Sequence, residues 1–323
     1  MEVTPGIFAE YDYKYSDKLS LVAGVRVDYS TTYGVFCTPR MNVRYSPFEW
    51  WTLRASAGMG YRSPNVIADN AFILPSSRQL NLASDIKQER AINSGISTTF
   101  YIPITAHRSP LTLSIEYYYT HFLNSLIVDM DRDPHQVHIY NQTDIPGAKS
   151  FAHCAQVEAS IEVLRGWTWT AAFRWTDVEQ TTFNAATNAY ELRPKALTNR
   201  FKGVITTSYQ TPLKKWQFDV TAQFNGISRM PDGFVAFGDY LGGYGTSKPI
   251  TWYPQLMAQI TKYWRTCSLY VGAENMTNFR QDHPIIDSFH PYGLDFDASM
   301  VCAPTTGWKV YIGFRYDLEK KED

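Results

Sequence analysis

The sequence predicts an all-β protein, an antiparallel up-and-down transmembrane β-barrel. Short segments in which apolar and polar residues alternate recur along the 323-residue chain. The connections between them alternate between very short and long, as expected when tight turns lie on one side of a membrane and long loops on the other. Aromatic residues make up 15% of the chain, with 22 Tyr, which suits a barrel with aromatic belts at the membrane interfaces.

The clearest strand covers residues 51–62, where every odd position is apolar and every even position is polar, charged or glycine. Successive side chains of a strand point to opposite faces of the sheet. One face of this strand could therefore contact lipid while the other faces an aqueous lumen.

Thirteen segments follow this pattern and are predicted as strands. They are residues 5–15, 19–31, 36–46, 50–62, 86–101, 111–128, 150–164, 167–181, 200–210, 215–229, 252–264, 267–275 and 307–317. A closed up-and-down bacterial barrel has an even number of strands. An odd number indicates either a missed strand or a chain that forms part of a larger barrel.

The connections divide into two classes by length. The short ones are rich in turn residues and lie at 16–18, 46–49, 165–166, 211–214 and 265–266. The long ones lie at about 63–85, 129–149, 182–199, 230–251 and 276–306. Two connections are exceptions: the one near 32–35 is short although it lies on the long side, and the one at 102–110 is extended although it lies on the short side. Six tryptophans, which we predict to form one interfacial belt, lie close to the short connections: Trp50, Trp51, Trp167, Trp169, Trp216 and Trp264.

Composition excludes several classes of function. The net charge is −1 and there is no Lys/Arg run, so no nucleic-acid partner is expected. No stretch approaches the ~18–20 apolar residues of a membrane helix. The length of an apolar stretch does not detect membrane strands, however, because their apolar residues alternate with polar ones. A soluble β-propeller or sandwich is the alternative fold; a propeller would show blade repeats, and none is found.

Chemistry-bearing motifs are absent from the sequence. There is no Ser nucleophile elbow, no HExxH and no Gly-rich phosphate loop, so we predict neither an enzyme nor a bound cofactor. The four cysteines show no CxxC spacing and no pairing that can be deduced, and small buried or lipid-facing side chains are the simplest interpretation. They are Cys37, Cys154, Cys267 and Cys302.

Four segments, in order along the chain, resemble motifs of TonB-dependent outer-membrane receptors. The first is Gly60, Tyr61, Arg62, Ser63, Pro64 and Asn65. The second, residues 85–95 with Glu89, has Gln88 in place of the usual Pro and Asn93 in place of the usual Glu. The third, residues 274–279, contains Asn275 and Asn278, and the fourth is a final strand with Phe314, Tyr316 and Leu318.

The resemblance implies that residues 1–323 are the C-terminal portion of a 22-stranded receptor barrel. A signal peptide, a TonB-contacting box and a plug domain are expected to be absent from this stretch. The implied partners are outer-membrane lipid, the TonB complex, the plug domain of the full-length receptor, the barrel-assembly machinery and a small nutrient ligand. The charged residues 319–323 depart from the aromatic ending of many outer-membrane proteins.

The function implied is energy-coupled uptake of a scarce nutrient across the outer membrane. A ferric siderophore, haem, metal ion or cobalamin is preferred over a glycan, because the loops are compact. The alternatives are a truncated fragment that does not transport and a passive porin-like channel.

Candidate ligand contacts lie in the long loops. His135 and His138 belong to a segment with several potential metal ligands, although a solvated polar loop is the simpler interpretation. A glycine-rich loop carries aromatic residues that could stack on a planar or sugar-like ligand, or simply pack on one another: Phe234, Phe237, Tyr240 and Tyr244. His283 and His290, in the last long loop, could contact haem or metal.

Overall fold

The computed structural model describes residues 2–104, 109–227, 229–232, 251–282 and 284–317. It contains one sheet of 14 strands and a second sheet of three. The strands are β1 (Gly6–Ser16), β2 (Leu19–Ser30), β3 (Gly34–Phe48), β4 (Trp51–Arg62), β5 (Gln79–Leu82), β6 (Glu89–Ile102), β7 (Leu111–Asn124), β8 (Leu126–Asp133), β9 (Gln136–Asn141), β10 (Ser150–Leu164), β11 (Trp167–Asn184), β12 (Ala189–Pro194), β13 (Asn199–Gln210), β14 (Trp216–Ile227), β15 (Trp252–Tyr263), β16 (Cys267–Glu274) and β17 (Lys309–Tyr316).

All thirteen predicted strands are present, and together they form the main path of the large sheet. Its hydrogen-bonded order is β1-β2-β3-β4-β6-β7-β10-β11-β13-β14-β15-β16-β17, with β12 added beside β11. Most predicted boundaries differ from the observed ones by one to three residues; the largest difference is in the predicted strand 111–128, which ends at Asn124, and its last residues belong to β8. The strands that the prediction missed, β5, β8, β9 and β12, lie in or beside segments predicted as long loops.

The register of the large sheet keeps the polar residues of neighbouring strands in one row. One such row crosses six strands through Arg54, Ser97, Glu116, Gln156, Arg174 and Lys202. Because the side-chain period of a strand is two, unbroken pairing places all of them on one face. These six strands therefore share one polar face and one apolar face.

The apolar face is left uncovered over much of the sheet. Ile7 is 76% exposed and Ile312 is 71% exposed, at the two ends of the strand order. A soluble sandwich packs one face of each sheet against the other, and an apolar surface of this extent marks a contact with lipid or protein. The exposure pattern thus opposes the sandwich alternative.

Aromatic rings gather at the end of the sheet that carries the short connections. Trp50 stacks on Phe48 with ring centroids 5.3 Å apart, and Trp51 stacks on Phe100 at 6.3 Å. Further along the same end, the Lys262 ammonium lies 4.3 Å from the ring centroid of Trp216. This arrangement agrees with the predicted belt of six tryptophans, all at strand ends beside short connections.

The opposite end of the sheet carries a small folded unit, which we call the loop cap. It consists of β5, β8 and β9, in the order β5-β9-β8, and of the parts of the long connections that pack with them. Its core is formed by Ile73, Met130, Val137, Ile139, Met230, Ile286 and Met300. The loop cap therefore holds a hydrophobic core of its own, outside the large sheet.

Helical structure in the described residues is short. It comprises an α-helix at Val66–Asp69 and 3-10 turns at Ala71–Ile73 and Gln142–Asp144. Among these described segments, none is a helix of the length and apolarity needed to cross a membrane. The four cysteines are free thiols: Cys37 is exposed and the other three are half-buried.

Candidate functional site

A buried ion pair joins the first long connection to the last. The Arg78 Nε donates to the Asp297 Oδ2 at 2.7 Å, and the two residues are 8% and 3% exposed. The other carboxylate oxygen, Oδ1, accepts from the backbone N and the Oγ of Ser299 at 2.7 and 2.6 Å. Both oxygens of Asp297 are thus satisfied, which is the condition for keeping a charge in a buried site.

A second network centres on Asp131 of β8. Its two carboxylate oxygens accept from the Arg229 Nη1 and Nη2 at 2.9 and 2.6 Å, and the Asp232 backbone N donates at 2.9 Å. Arg193 extends the network, with its Nη1 2.6 Å from the Asp232 Oδ2. Burial by itself raises the pKa of Asp131, but the hydrogen bonds and charge of Arg229 outweigh it and hold that pKa below its usual range.

The first two sequence motifs meet in the structure. The Arg62 Nε donates to the Glu89 Oε2 at 2.6 Å, and the Glu89 Oε1 accepts from the Leu126 backbone N at 2.9 Å. The Glu89 carboxylate therefore joins the end of β4 to the start of β6, and it also binds the backbone at the start of β8. In this geometry Arg62 and Glu89 position the loop cap on the sheet.

Of the remaining residues of the first motif, Gly60 and Tyr61 lie within β4, and the other three lead the chain away from it. The Asn65 Oδ1 accepts from the Ala68 N at 3.1 Å and so caps the helix that follows. The Ser63 Oγ donates to Glu2 at 2.9 Å, and the Tyr61 ring packs on Phe36 with centroids 3.7 Å apart. Pro64 lies between Ser63 and Asn65 in the chain. A Cβ added at Gly60 would have no described atom within 4 Å.

The third motif places two asparagines in the left-handed region of backbone conformation. Asn275 has φ 49° and Asn278 has φ 53°, values that Asn tolerates better than most residues. The Asn275 Nδ2 also donates to the carbonyl oxygens of Phe279 and Thr306 at 2.8 and 3.0 Å. This asparagine thus ends β16 and ties it to the segment leading into β17.

We expect Asn275→Ala to lower the free energy of unfolding by about 2 kcal/mol, because it adds left-handed backbone strain and removes two buried hydrogen bonds. Asn275→Gly should cost less, since glycine adopts the same φ without strain. Thermal unfolding of both variants in detergent tests this. Equal destabilisation by the two would mean that backbone conformation plays no part.

The last strand places two motif residues on the apolar face. Phe314 and Tyr316 pair with Leu269 and Cys267 of β16, and both aromatic side chains are well exposed. Leu318 lies outside the described residues, as do Phe234, Phe237, Tyr240, Tyr244 and His283.

The described histidines of the prediction lie in the loop cap, each with a different partner. The His135 Nε2 is 3.0 Å from the Asp295 Oδ1, and the His290 Nδ1 is 2.7 Å from the Asp287 Oδ1. His138 lies in β9, opposite Asp129. Within the described part of the chain, no three His, Cys, Asp or Glu side chains are grouped to hold a metal ion.

The interpretation of residues 130–138 as a solvated polar loop was wrong. They form the β8–β9 hairpin, in which Met130 is buried and Val137 is 0% exposed. Apolar side chains from the other long connections cover them, and this cover is invisible in the local sequence pattern.

The environment of His138 predicts a pH dependence of the loop cap. Burial, aided by the charge of Arg132, holds the pKa of His138 below its ordinary value, although Asp129 and Asp133 oppose the change. The unfolded chain therefore binds a proton first as the pH falls, so stability present above about pH 6.5 is lost below it.

We expect hydrogen-exchange protection of β9 to fall between pH 7.5 and 5.5. In the His138→Gln variant this fall should be smaller, while His290→Gln, which removes an exposed histidine of the same cap, should leave it unchanged. The same pH dependence in all three proteins would contradict the assignment to His138.

A cavity of about 540 Å³ opens at the same end of the sheet. Its volume falls in the range of small-molecule sites, and its lining combines charged, polar and apolar groups. It is lined by Thr32, Tyr33, Asp85, Ile86, Lys87, Gln88, Arg90, Leu123, Asn124 and Thr143. None of the predicted ligand contacts that the structure describes lies in this lining.

The sequence reasoning missed the residues that hold the loop cap together. Arg78, Asp297 and Arg229 belong to no motif, and charged residues in loops are ordinarily solvated. Arg78 and Asp297 are 219 positions apart, so no local spacing indicates that they meet.

The comparisons with known proteins agree on the fold. The family described as "TonB dependent receptor-like, beta-barrel" matches residues 3–276. Among solved structures, the FrpB iron transporter from Neisseria meningitidis is 14% identical, with a TM-score of 0.63, and is matched over 98% of this chain and 45% of its own. No curated protein matches the chain.

Two further structures give the same result. The copper transporter OprC is 12% identical with a TM-score of 0.67, over 98% of this chain and 47% of its own. The siderophore receptor PirA from Acinetobacter baumannii is 13% identical with a TM-score of 0.65, over 98% and 46%. The chain therefore spans less than half the length of each.

The strand pattern, the four motifs and the match over residues 3–276 lead to one assignment. The chain belongs to the TonB-dependent receptor-like β-barrel family.

Proposed function

We propose that this chain is the C-terminal barrel portion of an outer-membrane receptor that takes up a scarce nutrient by TonB-dependent transport. The nutrient class we favour is an iron-bearing siderophore or a transition-metal complex. The observation that carries the proposal is the two-faced sheet of 14 strands with a folded loop cap at one end. Three proteins of similar structure, an iron transporter, a copper transporter and a siderophore receptor, support the nutrient class.

In this proposal the apolar face contacts lipid and the polar face lines the lumen. The loop cap and the cavity beside it would capture the nutrient on the extracellular side. The ion pairs of the loop cap would hold it in one conformation before the nutrient binds. The entropy cost of ordering the loops on binding would then be small. The TonB complex would then supply the energy, and the plug domain would be the part that moves to open the lumen.

Uptake of radiolabelled iron by the source bacterium tests the transport function. Deleting the gene should reduce uptake of one ferric siderophore, and dissipating the proton gradient should reduce wild-type uptake to the same level. Uptake that survives loss of the gradient would favour the passive channel. A deletion that changes neither iron nor copper uptake would contradict the nutrient class.

The assignment of the two faces predicts opposite responses at adjacent alanines of β11. Ala171, opposite Ala159 and Ile205, lies on the apolar face, and Ala172, opposite Glu158, lies on the polar face. We expect Ala171→Arg to destabilise the membrane-inserted protein by about 2–4 kcal/mol if it lies near the midplane. Ala172→Arg should cost little, because its face is hydrated.

Folded yield in outer-membrane fractions, judged by heat-modifiable migration on gels, compares the two variants. Equal yields would contradict the proposed orientation of the sheet, because the residues differ only in the face they occupy.

A further inference from the structure

Two arginines face each other across neighbouring strands of the polar face. Arg44 of β3 pairs directly with Arg54 of β4, and Lys14 lies in the same row beyond Ser20. Like charges placed directly opposite each other in a sheet are destabilising. The pairing is therefore unfavourable in the protein alone, although solvent reduces the repulsion because both side chains are exposed.

Two other arginines on this face, in the same part of the sheet, have carboxylate partners. Arg40 is paired with Glu10, and Arg62 with Glu89. In the described part of the chain, no carboxylate lies within ion-pair distance of Arg44 or Arg54. The nearest acid in the row is Glu116, which is separated from Arg54 by Ser97.

The two arginines also line one cavity of about 330 Å³. Its lining holds hydroxyl and amide groups and no carboxylate, and consists of Ser20, Val22, Asn42, Val43, Arg44, Arg54, Ala55, Ser56, Gly95, Ser97 and Tyr118. Tyr118 lies across Gly95, where an added Cβ would approach its ring to 2.2 Å. The glycine thus makes room for an aromatic wall beside the two cations.

We propose that this cavity is an oxoanion subsite, binding a carboxylate or phosphate group between Arg44 and Arg54. Guanidinium groups bind such anions through charge-assisted, often bidentate hydrogen bonds. Serine hydroxyls and the asparagine amide supply further donors around the same space. An anion bound there would attract both guanidinium groups and so offset the repulsion between them.

The anion has two possible sources. It is either a free solute carrying carboxylate or phosphate, or a carboxylate side chain of a polypeptide segment packed on the polar face. The inference rests on the charge arrangement of this wall and is independent of which nutrient is transported.

Isothermal titration of the purified full chain in detergent with inorganic phosphate, at constant ionic strength, tests the subsite. We expect saturable binding that Arg44→Gln/Arg54→Gln weakens by at least about tenfold, the loss expected from one charge-assisted hydrogen bond. The control Arg174→Gln/Arg315→Gln removes the same charge from the polar face outside the cavity and should bind as wild type. Equal weakening in both double variants would overturn the site.

Thermal unfolding of the same proteins distinguishes the two sources. If a carboxylate side chain of a packed polypeptide segment fills the cavity, phosphate does not bind. Arg44→Gln/Arg54→Gln then unfolds at a lower temperature than the control, and Arg44→Lys/Arg54→Lys recovers part of the lost stability. If nothing binds there, removing two like charges leaves the unfolding temperature unchanged or raises it. No phosphate binding together with that result would overturn the proposal.

Discussion

Replacing Arg78 by alanine is expected to destabilise the loop cap by about 3–5 kcal/mol, the usual cost of breaking a buried ion pair. The variant leaves the Asp297 carboxylate in a site where it is 3% exposed, without the cation that compensates its charge. Hydrogen exchange should therefore accelerate in the segment around β5 and in the last long connection. Amides in the middle of β10 should keep their protection, because the large sheet is held by its own hydrogen bonds.

The control for this experiment is Arg280→Ala. Arg280 is an exposed arginine of the same last connection, and its Nη2 donates to the Asn278 Oδ1 at 3.3 Å. The double variant Arg78→Met/Asp297→Asn, which removes both charges and keeps much of the volume, should recover part of the loss. Protection in Arg78→Ala equal to that in Arg280→Ala would show that the buried pair does not hold the cap.

Asp131→Asn is expected to have the second largest effect, about 3 kcal/mol of cap stability. The amide cannot accept from both guanidinium nitrogens of Arg229 as the carboxylate does. It also leaves Arg193 and Arg229 to share Asp232, whose carboxylate oxygens lie 2.6 and 3.7 Å from their guanidinium nitrogens. Limited proteolysis near residues 193 and 229 should therefore become faster in the variant. Asp85→Asn, which neutralises an exposed carboxylate of another cap connection, serves as the control.

The lowered pKa of Asp131 adds a pH test of the same network. A carboxyl group whose folded pKa is depressed contributes stability above its unfolded pKa of about 3.9, and that stability is lost as the pH falls through the folded value. Cap protection in the wild type should thus decline below about pH 4. Asp131→Asn should remove this part of the acid response; an unchanged acid response would assign it to other carboxylates.

Both variants also bear on the proposed transport. If the cap captures the nutrient, loosening it should weaken binding on the extracellular side, because part of the binding energy would be spent on ordering the loops. Uptake measured at limiting nutrient should then fall more than uptake at saturation.

The large sheet was predictable because its cause is local. A strand that separates two different environments must alternate apolar and polar residues, and β10 and β14 carry that alternation along most of their length. The same alternation determined which residues of each strand share a face, whereas the register that links Arg54 to Glu116 through Ser97 was found only in the structure.

The loop cap was not predictable in this way. Its strands β8 and β9 are buried by segments that lie far away in the chain, among them the connection that carries Met300. The motif residues were recognised as a resemblance, yet the pairing of Arg62 with Glu89 and the left-handed backbone at Asn275 became visible only in three dimensions.

By itself, then, the sequence determined the thirteen strands along the main path of the large sheet, their two faces, the sides on which most short and long connections lie, and the family. Only the tertiary structure decided which charges in the long connections are buried and paired, and that Arg44 and Arg54 share a cavity without an acid. The physical reason is the separation along the chain of the residues that determine each feature. Alternation is a property of neighbouring residues, whereas burial and charge pairing depend on segments that lie as far as 219 positions apart in the chain.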